Sequence, residues 1–199
     1  MSLSSIGNAH PPIPRSALFL DRDGIINHDI GYLHRREDFV FVDGIFELAQ
    51  AAVAAGLLLV VVTNQAGIGR GYYTEADFHD LMAWVRSEFA TRGITIDRVE
   101  FCPDHPTAGI GPYRRDTARR KPGPGMLLDA AAAMHLDLGG SIMIGDKASD
   151  ALAGQRAGVG TVLLVTDDAK EAAQAPTGTL VLPTVRAAAA WLRNAKPVP

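Results

Sequence analysis

Asp21-Arg22-Asp23-Gly24 sets two carboxylates two residues apart, directly after the apolar run Ala17-Leu18-Phe19-Leu20. A carboxylate can attack phosphorus to form an aspartyl-phosphate that water later cleaves, which makes Asp21 the candidate nucleophile. Asp23 can protonate the leaving alkoxide and then take a proton from the attacking water. Two acids so close titrate as a coupled pair, which helps keep one of them protonated. Either one could instead cap the turn at Gly24, because so short a string also matches by chance. Asp146 and Asp150 extend the acidic set and, with Asp21, could hold magnesium, which prefers oxygen ligands and keeps waters. The competing readings are an ordinary N-cap for Asp146 and a solvated first-turn acid for Asp150.

Phosphate-monoester hydrolysis is accelerated by up to ~10²¹-fold, so a nucleophile, a proton donor, a cation and oxyanion donors must all be supplied. Arg120-Lys121-Pro122 precedes a predicted helix, where cations oppose the positive end of the dipole. A nearby anion would remove that conflict: Lys121 can bridge phosphate and Asp21, and Arg120 can reach a more distal group. A solvated turn is the alternative. Lys147 follows the same logic. Thr63 and Asn64 offer a hydroxyl, an amide and backbone N–H groups to phosphoryl oxygens. The Gly-rich stretch Ala66 to Gly71 lacks the Lys-Ser/Thr ending of a Walker loop and reads as a flexible connection needing positive φ.

These clusters must be positioned by something rigid. Ala17 to Leu20, Leu57 to Val62 and Ser141 to Ile144 are apolar without alternation and read as strands buried on both faces. Helical stretches are predicted over Gly44 to Ala55, Thr74 to Arg92 and Pro124 to His135. Weaker strands are predicted at Arg98 to Phe101, Thr161 to Val165 and Thr179 to Leu182, with helices at Asp146 to Ala157 and Thr184 to Asn194. Alternation of this kind implies a parallel sheet. Ligands bind at the carboxyl ends of such strands, where the three polar clusters lie. Residues 103–124 carry no period and read as a long functional loop. Trp84 and Trp191 fall on apolar helix faces and read as core.

At 199 residues, with 47% apolar and 21% charged, the chain fits one domain over residues 16–199 behind a tail at 1–15. A net charge of −3 without a basic face argues against nucleic acid and membrane surfaces and for a small-molecule partner, which the residues above suggest is a phosphorylated metabolite. Cys102 is the single cysteine, which with no apolar leader points to a cytoplasmic location. The six histidines show no metal-ligand spacing.

In that order, Asp21-x-Asp23-Gly24, Thr63-Asn64-Gln65, Lys121-Pro122 and Gly145-Asp146-x-x-x-Asp150 resemble the four signatures of the haloacid dehalogenase (HAD) superfamily of phosphatases, over about Ala17 to Val165. Asp29-x-Gly31-Tyr32, Val61-Val62-Thr63-Asn64-Gln65, Arg120-Lys121-Pro122-x-Pro124-Gly125-Met126 and Gly145-Asp146-Lys147 are similar to the D-glycero-D-manno-heptose 1,7-bisphosphate phosphatases, with histidinol-phosphate phosphatases as near relatives. The resemblance implies a Rossmann-like α/β/α domain with a mostly parallel sheet, a minimal loop cap and a monomeric state. It implies hydrolysis of the heptose 7-phosphate, with histidinol phosphate or another small phosphometabolite as the alternative substrate. Asp21 is then nucleophile, Asp23 acid/base, and Asp21, Asp146 and the Asp23 carbonyl hold Mg2+. Thr63, Asn64, Lys121 and Lys147 bind phosphate, while Asp29, Gly31, Tyr32, Gln65 and Arg120 lie near the sugar or its second phosphate.

The sequence departs from that pattern where many relatives hold zinc on Cys-x-His and Cys-x-Cys pairs. Here those positions read Cys102-Pro103-Asp104, with His105 displaced by one, and Thr117-Ala118-Arg119, so no zinc is expected and Arg114, Arg115 and Arg119 would organise the loop. Ile25 stands where threonine is common. A signalling receiver also phosphorylates an Asp at a strand end, but it needs no general acid, which Asp23 supplies. A catalytically silent binding module would not need the full acidic set.

Overall fold

The three strongest apolar runs become three adjacent strands at the centre of one sheet. A computed structural model describes residues 14–195. Strands β1 (Ala17–Leu20), β2 (Leu58–Asn64), β3 (Arg98–Cys102), β4 (Ile142–Gly145), β5 (Thr161–Val165) and β6 (Leu180–Leu182) pair in the order β3-β2-β1-β4-β5-β6, every pair parallel. The tail expected at 1–15 lies outside the described residues up to position 13. Arg15 already bridges to Leu136 and accepts from the Asp137 N–H at 3.0 Å.

Successive strand residues feed opposite cores, which explains the lack of polar alternation. Leu18, Leu20, Leu59, Val61, Ile142 and Ile144 face one layer. That layer is closed by α1 (Ile45–Ala54), α3 (Glu75–Ala90) and α7 (Val185–Asn194). Phe19, Val60, Val62 and Met143 face the other, closed by α4 (Gly125–Met134) and α5 (Ala148–Ala157). The result is a Rossmann-like α/β/α sandwich. Trp84 and Trp191 pack against the first core as partly buried side chains.

Two short helices were not anticipated. Ala66–Gly69 forms α2 in place of a flexible connection, and there Gly67 answers to close packing, since a Cβ on it would strike the Tyr73 ring. Gly71 does need positive φ, at 76°. The other, α6 (Ala169–Gln174), has no buried residue and therefore no apolar period to read. Its Glu171 accepts from the Ala148 N–H at 2.8 Å, at the start of α5.

The strand order reverses between β1 and β4, the crevice at which doubly wound sheets bind ligands. Residues 103–124 fold over it with one 3-10 turn, Gly111–Tyr113. Ion pairs fasten this loop. Arg119 reaches Glu100 at 2.6 Å and also pairs with Asp129, and Arg115 reaches the buried Asp104 at 3.0 Å. No helix among the described residues is long and apolar enough to cross a membrane.

Glu100 is 6% exposed, so removing a partner leaves a desolvated carboxylate short of donors. Arg119→Ala is expected to cost about 1–2 kcal/mol, a fall in Tm of about 2–8 °C for a chain of this size. A melting curve superimposable on that of the unsubstituted protein would show that the loop is fastened elsewhere.

Candidate active site

Strand β1 ends at Asp21, whose N–H donates to Ile144 O at 2.9 Å, so the carboxyl ends of β1 and β4 are locked side by side. Asp146 follows β4 at once. Gly24, at φ 87°, lets the turn after β1 close on it, because a Cβ there would overlap the Asp146 carboxylate.

Lys121 arrives from the loop, 100 positions along the chain, and is 4% exposed. Its Nζ donates to Asp21 Oδ1 at 2.8 Å and Val62 O at 2.8 Å, and lies 2.6 Å from Asp150 Oδ1. An ammonium has three donors, and all three have partners. Burial opposes its charge, but Asp150 and Asp21 outweigh burial and hold its pKa above the ordinary lysine value. Asn64 fixes the same residue by its backbone, giving Nδ2 to Lys121 O and taking Lys121 N–H on Oδ1, both at 3.0 Å.

Burial pushes Asp21 up to about 6 in spite of Lys121, with Asp150 and Asp23 adding to the rise. Burial, then the charges of Asp21 and Asp150, pushes Asp146 up to about 8. Asp146 Oδ1 is buried without a hydrogen-bond partner. Asp21, Asp146 and Asp150 each offer an oxygen within 4.8 Å of the others. This donor set fits a hard divalent cation, which would relieve both raised carboxyls and the orphaned oxygen. Both oxygens of Asp150 are already engaged, Oδ1 by Lys121 and Oδ2 by the Lys147 N–H at 3.0 Å, so Asp21 and Asp146 carry the freer ones.

Asp23 faces the other way. Arg22, 1% exposed, donates to its Oδ1 from Nη2 at 2.7 Å and Nε at 3.1 Å. Asn27 Nδ2 adds 3.0 Å and Gln65 Nε2 adds 3.1 Å. Gln65 also donates to Thr63 Oγ1 at 2.7 Å and accepts from Tyr73 OH at 2.6 Å. Asp21, Asp23, Tyr32, Arg70, Arg120 and Lys147 are among the residues lining one 660 Å³ cavity. Asp146 faces a neighbouring 630 Å³ cavity that shares Lys147 with the first.

At the mouth, Asp29 Oδ1 accepts from the Gly31 N–H at 2.9 Å and Oδ2 from Lys147 Nζ at 3.1 Å. Partial burial alone would raise this carboxyl, yet those two hydrogen bonds hold it below its ordinary value. Burial opposes the Lys147 charge, but Asp146 and Asp29 keep its pKa raised. Tyr32 is 46% exposed, and Arg120 gives one bond, to Asp104 O at 3.2 Å.

Comparison with known proteins agrees with this geometry. The HAD-hydrolase-like family profile matches residues 118–188. The D-glycero-alpha-D-manno-heptose-1,7-bisphosphate 7-phosphatase of Burkholderia mallei is 59% identical over 80% of this chain and 85% of its own. The chain belongs to this phosphatase family. The beta-named enzyme of Escherichia coli K12 is 42% identical over 89% of this chain and 88% of its own. Among solved structures, the D,D-heptose 1,7-bisphosphate phosphatase of B. bronchiseptica, complexed with magnesium and phosphate, superposes with a TM-score of 0.77. It is 30% identical, over 89% of this chain and 97% of that one.

The structure brings Asp21, Asp23, Thr63, Asn64, Lys121, Asp146 and Lys147 together as the sequence predicts, and it gives several of them partners that the sequence does not show. Asn64 lines the cavity, and its carboxamide also bonds the Lys121 backbone on both sides. Lys121 bridges Asp21 to Asp150 and also lines the cavity. Gln65 lines the cavity yet is 2% exposed and engaged on three side chains. Arg22 went unread as the variable residue of its motif, although an arginine closing an all-apolar strand between two acids is itself a signal. Arg70 and Tyr73 also went unread.

Removing the Lys121 charge raises the folded pKa of Asp21, and a carboxyl with a raised folded pKa destabilises the fold as pH rises. Lys121→Met is therefore expected to lose about 3 kcal/mol at pH 8 and clearly less at pH 5, where the carboxyls take protons. Urea unfolding at both pH values tests this; equal losses would show that the ion pairs do not hold the site.

Proposed function

We propose that this HAD-type phosphatase removes the 7-phosphate of D-glycero-D-manno-heptose 1,7-bisphosphate with Mg2+ and an aspartyl-phosphate intermediate. One observation carries the chemistry: Asp21, buried at the β1 end, has Oδ1 tied to Lys121 at 2.8 Å and lies within the acidic trio with Asp146 and Asp150. The substrate assignment rests on the relatives at 42–59% identity that carry that name. Histidinol phosphate remains the alternative, with no specific contact in its favour.

In the proposed cycle, Asp21 Oδ2, which carries no bond from Lys121, attacks phosphorus. The P–O bond to the sugar C7 oxygen breaks, and that oxygen takes a proton delivered by Asp23. Asp23 then accepts a proton from the water that cleaves the acyl phosphate, releasing inorganic phosphate and restoring Asp21. Thr63 Oγ1 accepts from Gln65, which leaves its own hydroxyl proton for a phosphoryl oxygen. Arg22, Asn27 and Gln65 fix where Asp23 stands. Mg2+, held by Asp21, Asp146 and the Asp23 carbonyl, would supply positive charge against the phosphoryl oxygens. We further propose a cytoplasmic monomer acting on a small metabolite and using no zinc: Cys102 is the single thiol and is buried, and Asp104 Oδ2 pairs with Arg115.

Phosphate release from heptose 1,7-bisphosphate, histidinol phosphate and nucleotides, with and without Mg2+, tests the substrate. Asp21→Asn should leave only a trace of turnover. Asp23→Asn should cost about 10²–10⁴-fold on the sugar phosphate and much less on an aryl phosphate, whose leaving group needs no proton. Substantial activity in the Asp21 variant refutes covalent catalysis through that residue.

The raised carboxyls give an independent test of the cation. Asp21 at about 6 and Asp146 at about 8 both stand above the ordinary 3.8, so metal-free protein should lose stability as pH rises from about 4 to about 8. Mg2+ should therefore raise Tm strongly at pH 8 and weakly at pH 5. A pH-independent Mg2+ effect would place the ion away from this trio.

A further inference from the structure

One carboxamide serves two members of the reaction machinery at once. Gln65 Nε2 gives one proton to Asp23 Oδ2 at 3.1 Å and the other to Thr63 Oγ1 at 2.7 Å. Its Oε1 takes a side-chain bond from Tyr73 OH at 2.6 Å. Gln65, Thr63 and Tyr73 are all buried, so an amide facing the wrong way would find little solvent to repair its bonds.

Turning that amide over would reverse both services. Oε1 would then face an ionised Asp23 acceptor to acceptor, and a protonated Asp23 would aim its proton at the amide instead of at the leaving oxygen. The Thr63 hydroxyl would have to donate to Oε1, using the proton that it otherwise keeps for a phosphoryl oxygen. Tyr73 opposes the turn. Among the described residues its hydroxyl has no other partner, so its proton is satisfied only while Oε1 faces it. Burial pushes the phenol up to about 12, which keeps it a donor at any ordinary pH. The ring is itself clamped: it stacks on His34 at 4.9 Å with a 6° tilt, and Gly67 of α2 lies so close that a Cβ there would strike it.

We propose that Tyr73 is a positioning residue for the phosphatase reaction: through Gln65 it holds Asp23 ready to pass its proton to the leaving oxygen and keeps the Thr63 hydroxyl free for phosphate. The inference rests on the roles given to Asp23 and Thr63 above, and it holds for any sugar phosphate that the cavity accepts. Proton transfer and phosphoryl binding are thereby set together by one hydroxyl that hydrogen-bonds to neither group.

Tyr73→Phe tests this, because it keeps the stacked ring and removes only the hydroxyl. On heptose 1,7-bisphosphate, or on whichever sugar phosphate the protein hydrolyses, activity should fall about 10–100-fold, mainly through kcat. On an aryl phosphate, whose leaving group needs no proton, the fall should be at least about fivefold smaller. Tm should move by less than about 5 °C, and the leaving-group split decides even where it moves more. In a Gln65→Leu background Tyr73→Phe should cost less than about twofold further, because the bond through which it acts is already gone. Equal losses on the two phosphates, no loss, or the full loss repeated in the Gln65→Leu background overturns the proposal while the acid/base reading stands. An Asp23→Asn variant that itself shows no split between the two phosphates overturns that reading and this inference with it.

Discussion

The site depends on a buried ammonium. Lys121 is placed where an isolated charge would cost several kcal/mol, and it is tolerable only because Asp21, Asp150 and the Val62 carbonyl satisfy all three of its donors. Those partners belong to three different pieces of the fold, the ends of β1 and β2 and the start of α5. A loop of some twenty residues is thereby pinned to the sheet at the one point where chemistry needs it. Asn64 repeats the constraint on the Lys121 backbone, so the position of Nζ is fixed from both ends.

The same constraint leaves the acidic side in excess. One ammonium cannot neutralise three clustered carboxylates, and Lys147 is shared with Asp29, 3.1 Å away and closer than Asp146 at 3.9 Å. The raised pKa values of Asp21 and Asp146 follow from that imbalance together with burial. A divalent cation placed among these carboxylates would relieve their mutual repulsion as well as add attraction.

Much of this was legible from residue order. Unbroken apolar runs identified the central strands, since only a sheet covered on both faces buries Leu18 and Phe19 alike. The polar residues at those strand ends then had to meet. The partners of each polar group were not legible, because a sequence records donors and acceptors without their directions. Residue order does not show that Asn64 bonds the Lys121 backbone or that Gln65 donates to Asp23. Arg22 was hidden by its place in a motif that leaves its position open. Helix α2 was hidden by glycines that serve close packing, at Gly67 against Tyr73, as readily as they serve turns.

These partnerships divide the polar residues into two groups with different physical tasks. Arg22, Asn27 and Gln65 all donate to Asp23 and Tyr73 donates to Gln65, a network that fixes Asp23 although Arg22 Nη1 and Asn27 Oδ1 are buried without partners. At the cavity wall Tyr32, 46% exposed, and Arg120, with a single bond to Asp104 O, lie outside that network. Proton transfer tolerates little misplacement, so the rigid group must surround Asp23. Recognition of a flexible sugar tolerates more, and the cavity's outer side chains, Tyr32 and Arg120 among them, stand outside that network. Substrate preference can therefore change at the mouth without disturbing the carboxylates, because no side-chain hydrogen bond among the described residues joins Arg70 or Arg120 to Asp21 or Asp23.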